Sequence, residues 1–327
     1  MSERGWRGKK DLLSIDDLSL DEINFILDLA CFLEPFSGIE DDVIEPLDIC
    51  KGKQAVIMSF EETTRTGSSS DAAVKRLGGN AVVISKEGSA MGKGESSNRT
   101  IRNIRYYGDI LGIRGPDAKE YARLSNKPVI NLGDAYEHPT QAIQNASLIR
   151  KKRGRLDHLN IGYLNDLIFG RVMLSEMKLF RKEKGNRFFG IPSNDGFRAP
   201  DGLKGTDYKE ITLEDIPSCD LDVLHVVRPQ FNRMSEGEKT LYRTCKTCIP
   251  VDNDFIKKYL PSKTLIMHDQ PNVEEILECA YENPQVVVDY QSALGVPTRM
   301  AIFGLWLGYE DALTKLMKSR QPSDARA

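Results

Sequence analysis

The densest chemistry in the chain lies in Ser59-Phe-Glu-Glu-Thr-Thr-Arg-Thr-Gly67. An apolar run, 54–60, leads into it and reads as a buried parallel strand. The run 68–78 comes next and reads as a helix. A strand therefore ends, a hydroxyl-rich turn holding Arg65 succeeds it, and a helix begins. A helix start offers backbone N–H groups and the positive end of its dipole. Thr63, Thr64 and Thr66 add hydroxyl donors, and Arg65 adds a forked cation matched to phosphate. This is chemistry for holding a phosphate dianion without a glycine-rich loop. A threonine cap beside a surface arginine has the same composition, so the stretch alone does not separate the two.

In open α/β sheets, ligands sit outside the carboxyl ends of strands. The residues just past each apolar run are therefore informative. Arg114-Gly-Pro stands after one, and Gly133-Asp-Ala-Tyr-Glu-His138-Pro-Thr-Gln141 after another. Asn165-Asp-Leu-Ile-Phe-Gly-Arg171, Arg228-Pro-Gln230 and His268-Asp-Gln-Pro271 stand after three more. Arginines end strands often, so each case is weak alone. Their repetition describes one cleft between two domains that collects several negative charges.

The elements that must position these groups form two alternating series. The first has strands at 54–60, 80–85, 109–114 and 128–132 with helices between them, after a helix at 18–33. A helix from about 139 to 152 carries the chain onward. The second has strands at 159–164, 187–191, 223–227 and 264–267, with a long, mobile loop holding a short strand at 193–220. One helix, roughly 296–316, ends the chain. This pattern predicts an α/β protein of two doubly wound parallel sheets, the C-terminal helix packing back on the first. The expected domains are 1–150 plus 296–327, and 151–295.

The 327 residues, 40% hydrophobic and 28% charged, suit a soluble globular protein of about two domains. A net charge of −3 argues against a dedicated nucleic-acid binder but allows a local cationic pocket. No apolar run spans a membrane and the N-terminus lacks a signal core, so a cytoplasmic location is expected. Six cysteines include one suggestive spacing, Cys245-Lys-Thr-Cys248. Without a second pair or nearby histidines it reads as two reduced thiols. Of the histidines, His158 reads as a surface residue, His225 as a core residue, and His268 as structural or supporting a site.

Several blocks together resemble the aspartate/ornithine carbamoyltransferase family: 60–66 with 73–79, Gly92-Lys-Gly-Glu95, and Asp134 with His138-Pro-Thr-Gln-Ala142. Arg228-Pro-Gln230 and Gly170-Arg171 resemble the substrate arginines of the aspartate enzymes. The resemblance implies a carbamoyl-phosphate domain, an amino-acid domain and a homotrimer with shared sites. Ser89 and Lys93 would enter a neighbouring subunit's site from a mobile glycine-rich loop. Thr63, Thr64, Arg65, Thr66 and Arg114 would take the phosphate. His138, with Thr66 and Arg114, would polarise the carbamoyl oxygen. Gln141 and the backbone carbonyls of Gln270 and Pro271 would orient the carbamoyl amide. Lys93, Arg171, Arg228 and Gln230 would bind the amino acid. No cofactor and no metal is implied. Regulatory chains are compatible with the pattern.

The sequence also departs from that family. Gly67 replaces a cationic position. Glu61 and Glu62 bring negative charge near a phosphate site, so their side chains are expected to point away. Asp269 and Gln270 replace a proline or cysteine and a leucine. Asp269 either holds an extra ammonium group or faces solvent. The reading is transfer of a carbamoyl group to L-aspartate in pyrimidine biosynthesis. A carbamoyltransferase using ornithine or another diamino acid, and a non-catalytic anion-binding member, are the alternatives.

Overall fold

The computed structural model describes residues 5–39, 46–61, 64–230, 237 and 248–320; Thr63 and Cys245 lie outside the described residues. The chain divides into two compact units, Met1–Ser147 with Ala293–Ala327, and Leu148–Ser292. In unit 1, α1 (Leu20–Leu33) starts at a reciprocal cap. Ser19 Oγ accepts from the Glu22 N–H, and the Glu22 carboxylate accepts from the Ser19 N–H. Next come β1 (Gln54–Ser59), α2 (Arg65–Arg76), β2 (Asn80–Ser85), α3 (Ser97–Ile104), β3 (Ile110–Arg114), α4 (Ala118–Leu124) and β4 (Val129–Asn131), then α5 (Pro139–Arg153), which passes into unit 2 at Leu148.

The unit 1 sheet is parallel throughout, in the order β2-β1-β3-β4. Val56 and Met58 of β1 pack with Leu111, Ile113 and Val129 against Ile101 and Tyr121. The late helix Gly295–Trp306 is buried along nearly its whole length and packs on α1 and α2. Trp306 lies 5.2 Å from Trp6 between ring centroids, so both chain ends enter one core. The single terminal helix expected from the sequence is in fact two. Gly308, at φ 88°, breaks it before Glu310–Ser319.

Unit 2 holds β5 (Asn160–Asn165), α6 (Arg171–Phe180), β6 (Arg187–Pro192), β7 (Tyr208–Glu210), β8 (Val223–Val227) and β9 (Leu265–Met267). Its parallel sheet runs β7-β6-β5-β8-β9, with β5 buried at every position. The segment 193–220 is not one long loop. It contains 3₁₀ turns at Asp195–Phe197, Asp201–Leu203 and Leu213–Cys219 around β7, and Arg198 bridges Asp195 and Glu210 there. Among the described residues, no helix is long and apolar enough to cross a membrane.

The strand order decides where a ligand goes. In unit 1 the sheet grows one way from β1 to β2 and the other way to β3 and β4. In unit 2 it grows one way from β5 to β6 and β7 and the other way to β8 and β9. Each reversal opens a crevice at the carboxyl ends of the central strands. Those ends lead into Thr64–Thr66 and Arg114 in unit 1, and into Asp166–Arg171 and Arg228–Gln230 in unit 2.

Candidate functional site

In unit 1, β1 and β3 end in register, with Ser59 opposite Arg114. The Phe60 N–H donates to the Arg114 carbonyl at 2.8 Å and holds Arg114 beside the start of α2. Arg114 Nη1 lies 3.5 Å from Thr66 Oγ1 and 3.5 Å from His138 Nε2. Thr66 and His138 are buried and Arg114 half-buried. The guanidinium donates to the Thr66 hydroxyl and faces the His138 ring nitrogen as a donor, so polar side chains from three separate elements converge on one point.

The loop after β4 is built to bring His138 there. The Asp134 carboxylate accepts from the Tyr136 and Glu137 N–H groups at 2.8 Å each, and from the Ala118 N–H at 3.3 Å. Glu137 accepts from the Ser14 hydroxyl at 2.7 Å, tying the loop to the N-terminal segment. Gly133 has φ 113°, and a Cβ there would lie 2.7 Å from the His138 ring. A side chain at 133 would thus displace the imidazole. Gln141 is buried nearby and donates to Asn145 Oδ1 at 3.0 Å.

Thr64 stands at the N-cap of α2 without a side-chain capping bond, so its hydroxyl is not used as a cap. Arg65 opens the helix with an exposed side chain. Ser89 and Lys93 lie beyond the end of β2. They sit in a defined 3₁₀ turn, Ala90–Lys93, rather than a loose glycine loop. The Ser89 hydroxyl donates to the Lys86 carbonyl at 2.7 Å and accepts from the Met91 N–H at 3.3 Å. Lys93 is exposed.

Glu61 corrects an expectation. Its side chain does not point away; its Oε2 lies 3.6 Å from Arg114 Nη2. A half-exposed carboxylate two residues past the strand finds the nearest strand-end cation within reach.

In unit 2 the organising group is Asp166, which nothing in the local sequence marks. It is buried at the end of β5. Its carboxylate accepts from the Ile168, Phe169 and Gln230 N–H groups at 3.2, 3.0 and 2.9 Å. One side chain thereby holds both the approach to α6, whose first residue is Arg171, and the loop after β8. Arg171 is buried and Arg228 half-buried. The Gln230 amide donates to the Arg228 carbonyl at 3.0 Å.

The loop after β9 contains a cis peptide at Gln270–Pro271. The Gln270 side chain is committed inside its own loop. It donates to the Tyr281 hydroxyl at 3.3 Å and accepts from the Asn272 N–H at 2.9 Å. Its N–H donates to His268 Nδ1 at 2.9 Å, which fixes the His268 tautomer. Asp269 neither faces solvent nor stands open for an ammonium group. Its Oδ2 lies 2.8 Å from His225 Nε2, and its Oδ1 accepts from Gln291 at 3.2 Å. His225 Nδ1 lies 2.8 Å from Glu176 Oε2 on α6. Burial alone would lower the His225 pKa, but Asp269 and Glu176 together raise it well above the ordinary histidine value. Burial, then the neighbouring Glu176, keeps the Tyr163 phenol neutral. His158 is exposed and His225 buried, as expected from the sequence. Burial pushes the Cys248 thiol up to about 12, which makes it an unreactive thiol.

Fold and site together define a two-unit α/β protein with cationic and hydrogen-bonding side chains at the strand ends of both parallel sheets. The carbamoyl-phosphate-binding domain of aspartate/ornithine carbamoyltransferases matches residues 10–151. The aspartate carbamoyltransferase catalytic subunit of Finegoldia magna is 34% identical over 319 residues, covering 91% of this chain and 98% of that protein. The aspartate transcarbamoylase of Trypanosoma cruzi, solved with carbamoyl phosphate and aspartate, superposes with a TM-score of 0.82 at 27% identity, covering 93% and 97% of the two chains. The catalytic subunit of the M. jannaschii enzyme superposes with a TM-score of 0.77 at 32% identity, covering 91% and 98%. The chain belongs to the aspartate/ornithine carbamoyltransferase family.

Proposed function

We propose that this protein moves the carbamoyl group of carbamoyl phosphate to the α-amine of L-aspartate. The products are N-carbamoyl-L-aspartate and phosphate, a step of pyrimidine biosynthesis carried out in the cytoplasm. The observation that carries the donor half is the convergence of Thr66, Arg114 and His138, with 3.5 Å from the guanidinium to each partner. A fixed cation, a hydroxyl and an imidazole gathered beside the start of a helix match a group that gains negative charge on one oxygen and leaves as phosphate. In this reading unit 1 with the C-terminal segment is the carbamoyl-phosphate domain and unit 2 the amino-acid domain.

The two substrates are each roughly dianionic, so bringing them together is electrostatically costly. Thr63, Thr64, Arg65, Thr66 and Arg114 hold the phosphate. His138, Thr66 and Arg114 donate to the carbamoyl oxygen. Gln141 and the carbonyls of Gln270 and Pro271 hold the carbamoyl NH₂. Arg171, Arg228, Gln230 and Lys93 hold the two carboxylates of the acceptor. The amine attacks the carbamoyl carbon and a tetrahedral intermediate forms. The carbon–oxygen bond to phosphate then breaks, and a phosphate oxygen takes the amine proton. Preorganised charge and near-attack geometry supply the rate.

Aspartate is favoured over a diamino acid because both Asp269 oxygens are already engaged, one of them by the His225 ring. The carboxylate that the sequence offered to a second ammonium is thus occupied. A homotrimer with Ser89 and Lys93 supplied by a neighbour is supported by the exposed edge strand β2. Its Val82 and Val83 are 42% and 48% exposed directly before that turn, and an open apolar edge is a pairing surface. The test gives the purified protein carbamoyl phosphate and a panel of amines, following phosphate release and product mass. Turnover with aspartate is expected. Turnover with a diamine alone, or donor binding without turnover of any amine, would overturn the reading.

A further inference from the structure

The proposed reaction does not use a histidine buried beside its own loops. His225 is 1% exposed in the middle of β8. Its Nδ1 faces Glu176 on α6 and its Nε2 faces Asp269 on the loop after β9, both at 2.8 Å. Glu176 is equally buried, and the Asp269 side chain is 21% exposed. Tyr163 on β5 stacks obliquely, its ring centroid 5.9 Å from that of the imidazole. The two carboxylates lie against opposite nitrogens of one ring, so they cannot converge on a single metal ion. Two ionised carboxylates so placed each accept a hydrogen bond from the ring, which makes it an imidazolium.

This one side chain touches all three segments assigned to the acceptor half. It lies three residues before Arg228, which directly follows the same strand. Through Glu176 it holds the helix that Arg171 opens. Through Asp269 it holds the loop of Gln270 and Pro271. We propose that Glu176–His225–Asp269 is a buried charge clamp in which the His225 imidazolium, as a positioning residue, neutralises Asp269 and fixes the 268–271 loop, so that the site accepts a dicarboxylic rather than a diamino acid. The inference rests on the proposed function, because it assumes that this loop borders the acceptor. A bare Asp269 carboxylate would repel a dianion and attract a cation. Paired with His225 it does both more weakly, because its oxygens are engaged and part of its charge is offset.

The pH dependence is set by the sign of the shift. The folded pKa of His225 is raised above its unfolded value. The clamp is therefore fully formed below about pH 6.5, the ordinary histidine value, and is lost as pH rises through the folded pKa. Glu176, Asp269 and Tyr163 are the titratable groups facing the ring. The first two are the anions that keep it charged, and Tyr163 stays neutral.

The experiment uses the full chain. Nitrogen NMR of histidine-labelled protein is expected to show both His225 nitrogens protonated at about pH 8, where an ordinary histidine is neutral. A single-proton ring at neutral pH would overturn the clamp. In steady-state assays His225→Gln is expected to raise the aspartate KM about tenfold or more, with the carbamoyl phosphate KM changed by less than about twofold. It should also lower the preference for aspartate over ornithine. Adding Asp269→Asn removes the uncompensated charge and should recover most of the loss. An unchanged aspartate KM, or no recovery in the double variant, would contradict the proposal. Should His225→Gln fail to fold, Asp269→Asn alone must lower the pH at which His225 loses its second proton, and an unmoved titration refutes the pairing. Failure of the wild type to carbamoylate aspartate would sink the proposed function instead. The nitrogen spectra would still judge the pairing by itself.

Discussion

Arg114 is the residue on which the donor half turns, and its neighbours pull on it in different ways. Thr66 and His138 face its Nη1, while Glu61 offers a carboxylate 3.6 Å from Nη2. A phosphate dianion arriving at Arg114 must compete with that carboxylate. Because Glu61 is 42% exposed, the pair is worth about 1 kcal/mol at most after screening by solvent. Glu61→Gln is therefore expected to tighten carbamoyl phosphate binding by about two- to fivefold in calorimetry, and weaker binding would show that Glu61 supports the site. Arg65 and His138 separate binding from chemistry. Arg65→Ala is expected to abolish donor binding, since it removes the forked cation at the helix start; retained affinity would contradict its assignment. His138→Gln removes a donor to the developing oxyanion. It should cut kcat by about 10²–10³-fold while the donor Kd moves by only about twofold. A kcat left unchanged would take His138 out of the reaction.

At the level of elements, both units solve the same problem with the same device. A loop after a parallel strand must present polar groups, yet its own backbone N–H groups need partners. In unit 1 Asp134 holds the 134–137 loop and the start of α4, and in unit 2 Asp166 holds the approach to α6 and the loop after β8. Asp166→Ala leaves three N–H groups without their acceptor. A loss of about 1–3 kcal/mol of stability is expected in denaturant melts. Because Arg171 and Gln230 shift together, the aspartate KM should rise about tenfold or more while the carbamoyl phosphate Kd, read in unit 1, stays within about twofold. An equal loss in both substrates would mean that Asp166 acts on the whole fold. The strands themselves were legible because buried parallel strands are continuous apolar runs, and 223–227 matches β8 residue for residue. The strand-end cations were legible for the same reason, since the end of each run points to the ligand side. Asp166 was not, because its bond to Gln230 spans 64 positions and nothing local marks it. His225 read only as a core residue because the sequence places Glu176 and Asp269 far from it. The terminal helix was overextended because its apolar stripe continues through Gly308, whose φ of 88° alone breaks it.

For the whole molecule, the chain order itself carries information. The helix Gly295–Trp306 returns to unit 1 and packs against α1 and α2, so that unit is built from two stretches far apart in the sequence. The site residues are less self-contained. Ser89 uses its hydroxyl to cap its own turn, and Lys93 is exposed at the end of that turn. Both come after an edge strand with two exposed valines. A closed ring of three copies would cover such an edge and deliver Lys93 to the next copy in a head-to-tail arrangement. This has a quantitative consequence. Arg65→Ala and Lys93→Ala chains are each expected to be inactive alone. When the two are mixed equally, dissociated and reassembled, a site is intact only if its own chain keeps Arg65 and its neighbour keeps Lys93. Random assembly in a cyclic trimer makes about one site in four intact, so about a quarter of wild-type turnover should return. If each chain supplied both residues to its own site, every site would lack one of them, and mixing would restore nothing.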